Sequence, residues 1–255
     1  MTLSSDQLDS DILYPDSDGT PMAESDLARD YLIYCVESLS TYFQDRQDVY
    51  VSGNLFIYYK KGVPDAVVAP DVFVVFGVEK KKRQSYKVWE EENKFPVFVL
   101  EVTLKTTQEK AEEDKPKKYQ RLGVLEYFQF DPTGDYLQPQ LKGARLISGQ
   151  YEAIAPTRLA GGVSLRSEAL DLELHLMSGE LRFFNPHTGQ KLLSLAETEQ
   201  ALQATEQALQ VTEQALQQEV QVRRDAVSSL LRLGLSVEQV SEVLSLSVED
   251  VRRLQ

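Results

Sequence analysis

The chain has 255 residues, 42% of them hydrophobic and 26% charged, which predicts a globular protein with one sizeable core or two modest ones. Its formal net charge of −13 argues against a surface that binds nucleic acid throughout, but not against a local site, because non-specific binding depends on basic residues. The single cysteine, Cys35, excludes an internal disulfide and a cysteine-based zinc site.

Residues 1–21 are expected to form a flexible leader, since they are acidic and rich in serine and proline. This stretch has neither the basic nor the apolar segment of a signal peptide. No apolar run in the chain approaches the roughly 18 to 20 residues that span a bilayer. The sequence therefore predicts a cytoplasmic protein with no membrane partner.

A domain that alternates between helix and strand signals is predicted over residues 22–190. Its first helix starts near Met22, with Ser25 or Asp26 as the cap. Strand-like segments follow, and then a charged stretch that is expected to be an exposed loop or a short helix. The strands are at 49–52, 54–59 and 67–76, the last interrupted by Ala69-Pro70-Asp71, and the charged stretch is at 79–94.

The second half of this domain contains a further helix and more strands. Thr107–Leu122 has helical composition, Pro116 must lie in its first turn or at a bend, and Gly123 ends it. A strand at 125–130 and a β-meander at 141–184, with turns at Ser148-Gly149 and Ser178-Gly179, complete the domain. This order predicts an α+β or α/β fold in which helices flank a mixed β-sheet.

A seven-residue repeat, ETEQALQ-ATEQALQ-VTEQALQ, lies within a predicted helix at residues 194–222. Leu202, Leu209 and Leu216 recur at every seventh position, which is the spacing of a coiled-coil seam. The repeat favours a short coiled coil that makes the protein a homodimer. The alternative is a single solvated helix that serves as a spacer, since the alanines and threonines beside the leucines bury little area.

Residues 224–255 contain two short amphipathic helices, opened by Ser236 and Ser247, in the outline of a helix-turn-helix. A DNA-reading unit of this kind has basic and amide residues early in its second helix. Here that helix begins with Val248-Glu249-Asp250, and its arginines come late. The sequence therefore favours a packing or oligomerisation unit over direct DNA reading.

Two carboxylates stand at strand boundaries of the predicted sheet. Glu101 lies in the apolar strand Phe95–Thr107, where a charged group is costly unless it is paired or binds a cation. Asp71 follows Pro70 and precedes the apolar run VFVVF. Two acidic groups on neighbouring strands, with a lysine nearby, suit metal-dependent phosphodiester cleavage, in which oxygen ligands hold Mg²⁺. Each residue alone could instead be a turn or strand-end residue that reaches solvent.

Three segments, taken in order, resemble the Uma-two endonuclease family of the PD-(D/E)xK, restriction-endonuclease-like superfamily. They are Pro70-Asp71, Glu101-Val102-Thr103 and DKPKKYQRLGVLEYFQFDP at residues 114–132. The resemblance covers about residues 22–190, and the segment from Tyr119 to Pro132 is its most specific part. It implies a restriction-endonuclease-like αβββαβ core and a nuclease that uses Mg²⁺ or Mn²⁺ to act on DNA.

The resemblance also implies which groups hold the metal. Asp71, Glu101 and the backbone of Val102 are the implied ligands, and Glu24, in the first helix, is a candidate for a further outer ligand.

The implied catalytic lysine has two candidates. The superfamily places this lysine two residues after the glutamate, where this chain has Thr103. In the family it stands on the following helix, four residues before the tyrosine, which here is Lys115. Lys105 is the rival, because it shares a strand face with Glu101 if the strand continues that far. Relatives carry an aspartate four residues before the helical lysine, where this chain has Ala111 with Glu109 and Glu112 nearby, and this difference puts catalysis in question.

Three functions are open on the sequence. The first is a Mg²⁺-dependent endonuclease that hydrolyses phosphodiester bonds of DNA, which the order of the motifs favours. The second is a catalytically decayed nuclease fold that acts through its coiled coil and terminal helices, which the charge of −13 and the residue Ala111 favour. The third is a DNA-binding protein that uses the terminal helix pair, which the acidic second helix argues against.

Overall fold

The computed structural model describes residues 13–15, 25–103 and 109–254, and it leaves out the side chains of residues 109–114. The chain divides into two compact units, Met1–Leu195 and Ala196–Gln255. Among the helices described, none is both long enough and apolar enough to cross a membrane.

A six-stranded mixed sheet forms the centre of the first unit. In chain order the strands are β1 (Val49–Ser52), β2 (Ile57–Tyr58), β3 (Val67–Val68), β4 (Val72–Phe76), β5 (Tyr86–Lys87), β6 (Phe98–Val102), β7 (Glu126–Phe130), β8 (Leu141–Ile147), β9 (Gln150–Ala153), β10 (Thr157–Leu159), β11 (Gly162–Ser167), β12 (Leu172–Met177) and β13 (Glu180–Phe184). The central sheet has the order β1-β4-β6-β7-β8-β9. Strands β6 and β7 are parallel, and the other neighbours are antiparallel.

Two helices flank this sheet, α1 (Asp26–Tyr42) and α2 (Glu109–Arg121). Ser25 caps α1, because its side chain accepts a hydrogen bond from the backbone N–H of Ala28. Helix α2 makes the crossover that parallel strands require, between β6 and β7, and Gly123 follows it with a φ of +75°. The order α1-β1-β4-β6-α2-β7 is the αβββαβ core that the sequence implied, and the prediction of a mixed fold is confirmed.

Alternate residues of the central sheet pack on its two faces. Phe98 and Leu100 lie on one face with α1 and with strands β11–β13. Val99 and Tyr127 lie on the other, with α2 and the small sheet that contains β2. Cys35 of α1 is fully buried in the first of these cores, and burial raises the pKa of its thiol, so that it stays protonated. Because both faces are covered, a charged side chain at the centre of this sheet has little access to water.

Two smaller sheets complete the first unit, one with the order β3-β2-β5 and one with the order β10-β11-β12-β13. The second is an antiparallel meander, as the sequence predicts. Both predicted hairpin turns are present, with φ of 50° and 80° at Ser148-Gly149 and 51° and 83° at Ser178-Gly179. Two successive positive φ values are typical of the tight turns that match strand twist.

Two segments refine the expectation. Pro116 lies inside α2 and not in its first turn, which leaves a bend as the remaining one of the two expected positions. The charged stretch at 79–94 is not only an exposed loop, because it contains β5 and a short 3-10 helix, Val88–Glu90. Tyr86 is fully buried there, and Arg83 anchors the stretch through an ion pair to Glu91 with Nε and Oε1 2.8 Å apart. The stretch is therefore ordered by the burial of its few apolar residues, although most of its residues are charged.

Three helices form the second unit, α3 (Leu195–Arg232), α4 (Val237–Leu244) and α5 (Val248–Arg253). Ser236 and Ser247 cap α4 and α5, as the sequence predicts. A small apolar core joins the end of α3 to these helices through Val227, Val240 and Val251, with leucines around them. Helix α3 continues without a break across residue 223, where the sequence suggested a boundary between the repeat helix and the terminal helix pair. The heptad repeat and the first part of this core therefore belong to one helix.

Candidate active site

Glu101 lies near the end of β6 on the face that α2 covers. Side chains alternate between the two faces of a strand, so Glu101 lies on the same face as Val99, whereas Phe98 and Leu100 pack in the opposite core. Glu101 is only 3% exposed, so it is not a strand-end residue that reaches solvent. A buried carboxylate of this kind needs partners, and α2 supplies them.

Asp71 directly precedes β4, the antiparallel neighbour of β6. Val72 is paired with Leu100, and one further step of this register places Asp71 opposite Glu101. The Asp71 side chain is partly buried, and its Oδ2 accepts the backbone N–H of Val102 at 2.7 Å. The structure thus brings together the two carboxylates that the sequence singled out.

The backbone under Asp71 is held by the loop that follows β1. The Asn54 N–H donates to the carbonyl oxygens of Pro70 and Asp71 at 3.1 and 3.2 Å. At Gly53 a Cβ atom would collide with the Asp71 carbonyl oxygen, so only glycine fits there. This close approach fixes the Asp71 backbone, and with it the position of the Asp71 carboxyl group relative to β6.

The carboxyl group of Glu101 perturbs that of Asp71, which faces it. Burial, followed by the negative charge of Glu101, raises the pKa of Asp71 to about 8. The positive charge of Lys115 and the N–H of Val102 act in the opposite direction but do not cancel the increase. Without a bound cation, the positive charge of Lys115 therefore does not balance the two acidic groups of the site.

Lys115 and Tyr119 of α2 both bind Glu101. Lys115 Nζ donates to Glu101 Oε2 at 2.8 Å, and its side chain remains 37% exposed. Tyr119, almost fully buried, donates its hydroxyl to Glu101 Oε1 at 2.7 Å. Burial and the adjacent carboxylate raise the pKa of Tyr119 well above its usual value, so its hydroxyl stays a donor. Residues four apart share a helix face, which is why α2 reaches both oxygens of one carboxylate.

The donor set suits a hard divalent cation. Asp71 and Glu101 supply carboxylate oxygens, and the Val102 N–H already points toward Asp71. In an extended residue the N–H and C=O point to the same neighbouring strand, so the Val102 carbonyl is directed to the same side. Mg²⁺ prefers such oxygens and retains several waters. Within the part of the chain that the structure describes, no group of three or more His, Cys, Asp or Glu side chains could hold a metal.

Several candidates named from the sequence lie outside the described residues. These are Glu24, Lys105 and the side chains of Glu109, Ala111 and Glu112. Thr103, at the position of the superfamily lysine, is buried, and its N–H donates to the Phe130 carbonyl at 2.7 Å. Of the two candidate lysines, the structure describes Lys115 and places it on Glu101.

Tyr119 belongs to this site, although the sequence suggested no chemical role for it. Its signal was present in the spacing Lys115-x-x-x-Tyr119, which places both side chains on the face that α2 turns to the sheet. That signal becomes useful only once α2 is known to cover β6.

Comparisons with known proteins found a family and a solved structure that this chain resembles. The model of the family Uma2, described as "Putative restriction endonuclease", matches residues 16–177. A solved structure described as "a putative nuclease belonging to DUF820", from Anabaena variabilis, is 12% identical with a TM-score of 0.38, and the match covers 56% of this chain and 79% of that one. No curated protein matches the sequence.

Proposed function

The chain belongs to the Uma2 family, whose model matches well over half of it, and we propose that it is a metal-dependent endonuclease that hydrolyses phosphodiester bonds of DNA. The observation that carries this proposal is the meeting of Asp71, Glu101 and Lys115 at one point of the sheet. Among these residues two are acidic and one is basic, which is the composition that metal-dependent phosphodiester hydrolysis requires.

The metal would be Mg²⁺ or Mn²⁺, held by Asp71, Glu101 and the Val102 carbonyl. When bound, such a cation lowers the pKa of a coordinated water and offsets negative charge on the phosphate. The raised pKa of Asp71 supports this assignment, because two carboxyl groups that face each other without a cation favour the protonated form of one of them.

The protein's own groups have separate tasks in this proposal. Lys115, which is partly exposed, extends to the phosphate and stabilises the negative charge that develops on its oxygens. Tyr119 is a positioning residue, since its hydroxyl fixes the orientation of the Glu101 carboxylate. Asp71 is oriented by the Val102 N–H. The helix and both strands therefore hold the ligands before substrate arrives.

The test is cleavage of supercoiled plasmid and of labelled single strands, with Mg²⁺, Mn²⁺ or EDTA. Wild type is compared with Glu101→Gln, Lys115→Ala and the control Lys117→Ala, which changes an exposed lysine of the same helix. We expect metal-dependent cleavage that falls by a factor of about 10² to 10³ in the first two variants. The control should match wild type.

Two results would reject the assignment. Equal weak cleavage by wild type, Glu101→Gln and Lys115→Ala would indicate a contaminating nuclease. Absence of both cleavage and metal binding would favour the decayed interaction protein, since a working carboxylate pair should bind Mg²⁺ or Mn²⁺ and raise stability by mass action.

A second proposal concerns the repeat helix, which we expect to dimerise the protein as a coiled coil. Leu202, Leu209 and Leu216 are 59%, 62% and 60% exposed in a single chain, in line along α3. Such an apolar stripe is typical of a helix that packs against a partner. This interaction role is compatible with the nuclease, and it would remain if the site were inactive. The acidic first turn of α5, Glu249 and Asp250, supports packing rather than DNA reading by the terminal helices.

The mass in solution tests this proposal. Replacing the three leucines by serine in the full chain should convert a dimer to a monomer in light scattering. The control replaces the neighbouring glutamines, Gln203, Gln210 and Gln217, by serine and should leave the dimer intact. A wild-type monomer, or a dimer that survives the loss of the leucines, would reject the coiled coil.

A further inference from the structure

The face of the sheet that carries Asp71 and Glu101 also carries two polar residues that the proposed hydrolysis does not use. Glu101 is paired with Gln129 of β7, and Gln129 is paired with Lys142 of β8. The register therefore aligns a row across four strands, in the order Asp71, Glu101, Gln129, Lys142. Strands are about 4.8 Å apart, so Lys142 lies about 10 Å from Glu101 along this row.

Both added residues are available for a ligand. Gln129 and Lys142 are partly buried, yet neither side chain forms a hydrogen bond or ion pair with any residue that the structure describes. Among the described residues, the buried side-chain polar atoms without a partner include none from Gln129 or Lys142, so their polar ends reach solvent. The two side chains thus face an open space.

That space is a cavity of about 520 Å³ in the first unit. It lies at the end of the row formed by Gln129 and Lys142, away from Asp71. Gln129 and Lys142 line it together with Pro116, which follows Lys115 in α2, and with Tyr151 and Ile154. Most of its remaining lining is apolar, and the Tyr151 ring stacks on Tyr127 with the centroids 6.1 Å apart. Cavities of this size and apolar character bind small flat organic groups.

The cavity lies beside the start of β8, since Leu141, Lys142 and Gly143 all line it. Strand β9 pairs with Ala144–Ile147, and the Ile154 N–H that follows it donates to the Gly143 carbonyl at 2.8 Å, so among the described residues only Leu141 and Lys142 of β8 have no strand paired on that side. A lysine and an aromatic ring in one lining combine the two features that bind single-stranded nucleic acid, phosphate neutralisation and base stacking. A base within a duplex must first be unpaired and unstacked to enter such a cavity, which costs a few kcal/mol that an unpaired base does not pay.

We infer that Lys142 and this cavity bind an unpaired nucleotide next to the scissile phosphate, with its phosphate on Lys142 and its base in the cavity. This inference deepens the proposed function, on which it rests for the position of the scissile phosphate, and it assigns single-stranded nucleic acid as the substrate class. Gln129 stands between the two sites and orients the linking sugar-phosphate. Neither DNA nor RNA is favoured by this geometry, because both present a base and a phosphate.

The test measures binding by fluorescence anisotropy with the full chain and Ca²⁺, using labelled single-stranded DNA, single-stranded RNA and duplex DNA of one mixed sequence. The variants are Lys142→Ala and Ala153→Trp, which adds a large side chain to the lining from an exposed position at the end of β9. The control is Lys191→Ala, which removes an exposed lysine elsewhere in the first unit.

We expect wild type to bind a single strand more tightly than the duplex, and both cavity variants to lose about ten-fold in affinity for the single strand. Lys142→Ala should also reduce the slope of log affinity against log salt by about one, which a merely structural effect would not do. Lys191→Ala should bind like wild type. Equal affinity for duplex and single strand, binding unaffected by both cavity variants, or no binding to any oligonucleotide would overturn the inference.

A cleavage assay on the same variants separates this inference from the proposed function. If cleavage depends on metal and Glu101 but its KM and strand preference are unchanged in Lys142→Ala and Ala153→Trp, the nuclease stands and the nucleotide site falls. If single-strand binding depends on Lys142 but no metal supports cleavage, the nucleotide site stands and the hydrolytic role falls.

Discussion

Two glutamates are buried in the same sheet, on the neighbouring parallel strands β6 and β7, with opposite electrostatic surroundings. Glu126, at the start of β7, is 1% exposed, and its carboxylate accepts hydrogen bonds from Arg145, from the Ser167 hydroxyl and from the Glu168 N–H. Its negative charge meets a guanidinium, and its oxygens have donors. Glu126 is therefore a structural residue that ties β7 to β8 and to the loop after β11.

Glu101, near the end of β6, is nearly as buried, and it also has two donors. The difference is that a second carboxyl group, that of Asp71, faces it. The ammonium of Lys115 faces two acidic groups at the buried site, whereas Glu126 has the Arg145 guanidinium, which also binds the exposed Glu168, and two further donors. The comparison teaches that burial alone does not identify a functional carboxylate; an uncompensated negative charge beside it does.

The largest effect that follows from this comparison is on folding. We expect Glu126→Gln to lower the free energy of unfolding by about 3 kcal/mol, because it removes the buried carboxylate partner of the Arg145 guanidinium and leaves only the exposed Glu168. Urea unfolding of the full chain measures this loss.

Glu101→Gln is the matched comparison, and it should stay within about 1 kcal/mol of wild type, since Lys115 can turn to water and Asp71 loses a repelling neighbour. Equal losses in the two variants would mean that the two glutamates have the same role, which would contradict the distinction drawn between Glu126 and Glu101.

The pH dependence of stability sharpens the comparison further. Because the folded-state pKa of Asp71 is raised to about 8, its contribution to stability is fully present below the ordinary pKa of an aspartate and is lost as the pH rises through about 8. Metal-free wild type should therefore lose about 1 kcal/mol per pH unit between about pH 6 and about pH 8. Asp71→Asn should lack this slope, and unfolding in EDTA at several pH values checks it. A slope that is identical in both proteins would contradict the assignment to Asp71.

The smallest effect concerns the hydroxyl of Tyr119. Tyr119→Phe removes one donor to Glu101 and should cost about 1 kcal/mol of stability. It should lower kcat more than KM, because the carboxylate loses its orientation while the substrate keeps its contacts. Tyr151→Phe is the control, since that hydroxyl donates to the Val124 carbonyl, away from the carboxylates. Similar kinetics for Tyr119→Phe and Tyr151→Phe would remove Tyr119 from the site.

Local sequence patterns were sufficient for the elements of the core but not for their contacts. The apolar runs predicted β4 and β6, and the composition of 107–122 predicted α2. The register that places Asp71 opposite Glu101 depends on how β4 and β6 pair across the inserted β5 and the 3-10 helix, and no local pattern encodes it. The strand pattern alone likewise does not separate Glu101 from Glu126, and it was the order of the motifs shared with the Uma-two family that singled out Glu101. Both lie in apolar strands, and in the structure partners distant in the chain distinguish them.

The requirement for glycine at position 53 has a consequence for how such a site is lost. A methyl group there would push against the Asp71 carbonyl oxygen and move the start of β4, so one carboxylate would shift although every charged residue was retained. A survey of related chains that checks only for the acidic pair and the lysine would not detect such a change. The geometry of the acidic pair thus depends on an uncharged position outside the pair.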